Sequence, residues 1–207
     1  ALEEARFADP FIAAPTVAEI VQKAGYRTAI AGAKPVAQLA DRSRQRETDA
    51  ARRSIVVYRK RALPVSAQAA ITAALGPFPE RTGFPNDKED DWTTRALTEF
   101  LWKDGVPKFS LLWSIEPDLS QHATAPGAPT PVAATTNCDD NLPRVPAALN
   151  AKNALTNPPF SVVAVTHSST TPPRARAHPC PPDGAWPGSE LSPDMLAIAR
   201  RRADELD

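Results

Sequence analysis

Three histidines, two cysteines and one methionine are all that this 207-residue chain carries of those residue types. Cys138 and Cys180 alone make neither a disulfide framework nor a cysteine metal cluster. Charge of either sign is not in excess: 24 basic and 24 acidic side chains cancel, so no net field recruits nucleic acid or an anionic membrane. No apolar run approaches the roughly 18 residues of a membrane-spanning helix. No basic-then-apolar leader is visible near Ala1, and because the chain starts at Ala1 instead of Met, an N-terminal portion is expected to be missing. The basic groups Arg42-Ser43-Arg44-Gln45-Arg46, Arg52-Arg53 and Arg59-Lys60-Arg61 are interleaved with Glu47 and Asp49. They read as a solvated helix face in preference to a phosphate-contacting patch.

Proline is what the chain has in excess, 23 residues against the ~5% usual in globular chains. Nine of these follow Asn157, which divides the chain in two. Residues 1–152 alternate short apolar runs with helical patterns. Thr16 caps a helix over Pro15–Ala24, with Val17, Ile20 and Val21 at helical spacing and Gly25 ending it. Tyr26–Gly32 and Ile55–Tyr58 read as strands. Val36–Arg53, Ala67–Leu75 and Trp92–Lys103 read as helices, and Gly83–Asp91 as a polar turn. Phe109–Ile115 reads as a buried central strand. The alternation argues for an α/β fold with a mostly parallel sheet covered on both faces. Ala123–Thr136 reads as a loop. Cys138–Lys152 has Leu142, Val145 and Leu149 on one helical face, but Pro143 and Pro146 should break it. Residues 153–207 read as a low-complexity, irregular tail, holding one strand candidate, Phe160–Val165, and a terminal helix candidate, Leu191–Leu206.

The chemistry-bearing stretch is Leu111-Leu112-Trp113-Ser114-Ile115-Glu116-Pro117-Asp118-Leu119-Ser120-Gln121-His122. An Asp-x-x-x-His pair just past a strand can offer one carboxylate oxygen and one imidazole nitrogen to the same divalent cation. Zinc takes such donors at about 2.0–2.2 Å. The sheet edge is also where open α/β folds place their ligands. A two-ligand motif is a weak signal, and a surface loop holding an acid and a histidine is the bland alternative.

Three blocks flank or contain the pair: Thr16-Val17-Ala18-Glu19-Ile20 with Ala24-Gly25-Tyr26-Arg27-Thr28-Ala29-Ile30-Ala31-Gly32-Ala33-Lys34-Pro35; Asp91-Trp92-Thr93-Thr94-Arg95-Ala96-Leu97 with Leu101-Trp102-Lys103-Asp104-Gly105-Val106-Pro107-Lys108-Phe109; and Pro117-Asp118-x-x-x-His122. Together, over about residues 15–152, they resemble the type I phosphodiesterase/nucleotide pyrophosphatase branch of the alkaline phosphatase superfamily. Asp139, Asp140, Asn141, Leu142, Arg144 and Val145 extend the likeness. The resemblance implies an alkaline-phosphatase-like sheet flanked by helices, incomplete here. It also implies hydrolysis of a phosphate ester or diester by a Ser or Thr nucleophile and two divalent cations, zinc foremost, that clamp an in-line displacement. Asp118 and His122 match two of its metal ligands. His167 matches a third, in Thr166-His167-Ser168 where the family has Asp-His-Gly. His178, among alanines and prolines, is a poor ligand.

Nothing in Ala1–Pro15 resembles the family's nucleophile block. The expectation from the resemblance is therefore a hydrolase with little activity in this chain alone. It is either a fragment whose reading frame slips near Asn153 or a relative that has lost catalysis. A non-catalytic scaffold with a proline-rich tether is the alternative from another class, and a sulfatase-like or phosphomutase-like relative is a third. Relatives are often exported, whereas this sequence shows no signal.

Overall fold

The computed structural model describes residues 14–42 and 48–153. The order of elements follows from local chemistry. Helix α1 (Val17–Lys23) begins at Thr16, whose hydroxyl accepts from the Glu19 amide while the Glu19 carboxylate accepts from the Thr16 amide, a reciprocal capping box. Gly25, at φ +88°, turns the chain out of the helix. Strand β1 (Thr28–Gly32) is buried along its whole length. Helix α2 (Asp49–Arg53) and strand β2 (Ile55–Tyr58) follow. A tight turn through Arg59 leads into strand β3 (Arg61–Leu63). Helix α3 (Ala67–Leu75) stops at Gly76. Helix α4 (Asp87–Arg95) runs on as a π-helical segment, Ala96–Leu101. Strand β4 (Phe109–Trp113) and helices α5 (Asp118–Ala123), α6 (Pro129–Asn141) and α7 (Arg144–Asn153) complete the described chain.

The sheet order is β3-β2-β1-β4, with β1 parallel to both β2 and β4 and only the β2–β3 pair antiparallel. The expected α/β class with a mostly parallel sheet flanked by helices is therefore present. Alternation divides the core. Ala29, Ala31, Val57 and Ala62 face Ile71, Trp92, Leu97, Phe100, Leu101, Val145 and Leu149 on one side. Ile30 and Val56 face Ala18 and Ala37 on the other. Trp92 anchors the first layer: its ring meets Phe78 edge-on at 5.2 Å and its indole N–H donates to the Gly76 carbonyl at 3.2 Å.

Several elements differ from the sequence expectation, each for a physical reason. The helix expected over Val36–Arg53 is a 3-10 helix at Pro35–Ala40 and, separately, α2. Asp41 breaks it by turning extended and burying its carboxylate against the Gln22 amide at 2.8 Å. Gln22 also donates to Thr28, so α1 presents Ala18 and Gln22 inward and leaves Val17 and Ile20 more than half exposed. Arg42 is not on a solvated helix face; it wraps the Glu19 carboxylate. Arg59 and Lys60 form the β2–β3 turn and Arg61 opens β3. The polar turn expected at Gly83–Asp91 becomes helical from Asp87. Strand β4 is not central: among the described residues it ends the sheet, half-buried, and β1 holds the centre. The loop expected at Ala123–Thr136 contains most of α6. Pro129 and Pro131 fall in its first turn, where amide hydrogens have no helical acceptor to lose. The expected break does occur at Leu142-Pro143, and Pro146 sits in the first turn of α7. His167, Phe160–Val165, Cys180 and Leu191–Leu206 lie outside the described residues.

One contact fixes the end of β1. A Cβ on Gly32 would lie 2.2 Å from the Ala37 Cβ and 3.5 Å from that of Trp113. Only a glycine lets the 3-10 helix cross the strand end this closely. Gly32→Ala is expected to lose about 1–3 kcal/mol of stability, measured by urea denaturation; an unchanged midpoint would show that this crossing is not tight.

Candidate functional site

The candidate site is built at the C-terminal edge of the parallel strands, where the chain leaves β4 and enters α5. The segment Ile115–Ser120 is held by side chains, not by sheet pairing. The Asp90 carboxylate, buried on α4, accepts from the amides of Ile115 at 2.7 Å and Glu116 at 2.9 Å. The Glu116 carboxylate, also buried, accepts from the Asn86 amide at 2.8 Å and the Ser120 amide at 3.0 Å. The Cys138 thiol on α6 donates to the Glu116 carbonyl at 3.2 Å. The Glu116 residue is thus gripped by its amide, its carbonyl and its side chain, from α4, α5 and α6 together.

That grip places Asp118 and His122 one helical turn apart on α5, the i, i+4 spacing that brings two side chains together. The His122 Nε2 lies 3.3 Å from one Asp118 carboxylate oxygen. The other oxygen receives the Lys34 ammonium. Lys34 stands just past β1, and the Ala33 amide donates to the Trp113 carbonyl at 2.9 Å, tying the two strand ends together. The three side chains are open to solvent to different degrees: His122 is 71% exposed, Asp118 32% and Lys34 30%.

Of the residues expected to bind metal, Asp118 and His122 are brought together, and His167 lies outside the described residues. Their donors suit a divalent cation: one carboxylate oxygen and one imidazole nitrogen on the same helix face. They amount to half a coordination shell. Among the described residues no group of three or more His, Cys, Asp or Glu side chains is placed to hold a metal ion.

The acids behind the site have shifted protonation. Burial pushes the Asp90 carboxyl up to about 7; the two backbone amides oppose this, and the charges of Glu116 and Glu89 add to it. Burial, then the Glu116 and Asp91 charges, raises Asp87. Burial, reinforced by Asp90 and Glu116, pushes the Cys138 thiol up to about 12. Cys138 is therefore a protonated hydrogen-bond donor, not a thiolate nucleophile. Sequence reasoning missed Lys34, Asp90 and Asn86. Asp90 is one acid among Asp87, Glu89, Asp90 and Asp91, and nothing in that run marks which one turns inward.

Comparison with known proteins adds no relative: no protein-family model, no curated protein and no solved structure matches this chain.

The Asp90 shift has a signed consequence. Below pH 3.8 its carboxyl is protonated in both folded and unfolded chains. Between 3.8 and about 7 only the unfolded chain ionises, so Asp90 subtracts stability progressively as pH rises, and the loss is complete above about 7. Carbon-13 NMR of the Asp90 carboxyl is expected to give a midpoint near 7 in the native protein. A midpoint near 4 would mean that the carboxyl is not desolvated.

Proposed function

We propose that this chain carries the scaffold and one cation-facing pair of a metal-dependent phosphoester or phosphodiester hydrolase of the nucleotide pyrophosphatase type. The observation that carries the reading is the convergence of Asp118 and His122, within 3.3 Å, at the C-terminal edge of a parallel sheet. Ligands gather at that edge in open α/β folds. The resemblance of residues 15–152 supplies the reaction class, and zinc is the cation the two donors suit. In such chemistry the cation polarises a phosphoryl oxygen and favours the ionised nucleophile. The chain's own part is to hold Asp118 and His122 on one helix face through the grip on Glu116.

The same reading expects slow turnover. Two donors hold a cation weakly, and no block of this sequence matches the family's nucleophile. A second reading, a scaffold that has lost catalysis, is favoured by one specific observation: Asp118 is already neutralised by Lys34.

Isothermal titration of the whole chain with Zn2+ separates these readings from a chance pairing of surface residues. Weak binding is expected, abolished in both Asp118→Ala and His122→Ala, with only slow hydrolysis of a chromogenic phosphodiester at saturating Zn2+. Binding that survives both substitutions would place the cation elsewhere. Rapid hydrolysis insensitive to them would contradict the assignment of the site.

A further inference from the structure

The position of Lys34 determines how the pair can meet a cation. Gly32 admits the 3-10 helix at Pro35–Ala40 hard against the strand end, and the Ala33 amide is bonded to the Trp113 carbonyl. Between these two constraints Lys34 has an extended backbone, φ −114° and ψ 148°. Its side chain reaches from the end of β1 to the start of α5. There the ammonium sits on one Asp118 oxygen while His122 stands by the other.

We infer that Lys34 is a built-in counter-ion that competes with divalent cations for Asp118, and so sets the metal affinity of this chain. The inference rests on the reading of Asp118 and His122 as a cation-facing pair. An ammonium and a divalent ion on the same carboxylate repel each other, and binding the ion requires the lysine to be displaced or to stay close by against that repulsion. Displacement is feasible because the pair is only partly buried, with Lys34 30% and Asp118 32% exposed, so the ion pair itself contributes little to stability. Lysine suits this role: a compact point charge on a flexible stem, able to leave a carboxylate without breaking a bidentate fork.

The test is Zn2+ titration of the full chain as wild type, Lys34→Met, Lys34→Gln and Lys34→Met/His122→Ala, with circular dichroism to confirm folding. Both single variants are expected to bind Zn2+ roughly tenfold more tightly or better, the scale set by one ammonium a few ångströms from a dication in a largely aqueous site. The gain should vanish when His122 is also removed. If the Lys34 variants bind no more tightly than wild type while Asp118→Ala abolishes binding, the competition is overturned and the metal pair stands. If no form binds Zn2+, the pair reading fails and the inference falls with it.

Discussion

The paired carboxylates of Asp90 and Glu116 are the interaction on which the candidate site depends. Strand β4 ends at Trp113, and α5 does not begin until Asp118, so the intervening backbone has no ladder to hold it. Within it Ile115 and Glu116 are buried, and their amides require acceptors. Asp90 supplies two and Glu116 turns back to cap both Asn86 and Ser120, so α4, the strand exit and α5 become one unit. Burial, with the Glu116 charge adding to it, disfavours the ionised Asp90 carboxyl and raises its pKa. The Ile115 and Glu116 amides, which donate to that carboxyl, oppose the shift.

The sheet beneath depends on smaller means. The central β1 strand is built from Thr28, Ala29, Ile30, Ala31 and Gly32. Ala29 and Ala31 on one face and Gly32 on the other leave room for helices to approach, while the aromatic bulk of Trp92, Phe100 and Trp102 comes from the α4 side. Glu89, fully buried on the same helix, is neutralised by Arg81 at 2.9 Å, with Arg59 at 3.9 Å. Helix α4 therefore carries three separate loads: an aromatic core face, a buried ion pair reaching to the β2–β3 turn, and the Asp90 grip on the site.

Much of this was legible in the sequence, and the reasons for the remainder are specific. Strand β2 and helix α3 coincide with their apolar patterns and punctuation, and the Thr16 cap and Gly25 stop bound α1 as expected. Although helix α5, whose i, i+4 spacing brings them together, was not expected, Asp118 and His122 were visible as an Asp-x-x-x-His pair just past an apolar run. Lys34 was not, since its partner is 84 residues away and is set by how β1 and β4 align. Asp90 was hidden among neighbouring acids, where helical phase decides which one turns inward. Helix α6 was masked by prolines whose position in its first turn makes them harmless. The outward tilt of Val17 and Ile20 follows from Gln22 and Asp41 taking the inner face for a polar contact, which an apolar-periodicity argument cannot anticipate.

These features combine into a site whose framework is buried and hydrogen-bonded and whose front is open. The buried acids hold the backbone, and the half-exposed Lys34, Asp118 and exposed His122 meet solvent. The central claim is that Asp90 holds the strand exit, and amide hydrogen exchange at Ile115 and Glu116 tests it most directly. The account predicts strong protection at both amides in the native protein, and selective loss of that protection in Asp90→Ala while the β1 amides stay protected. Fast exchange at Ile115 and Glu116 in the unsubstituted chain, or protection unchanged by Asp90→Ala, would contradict it.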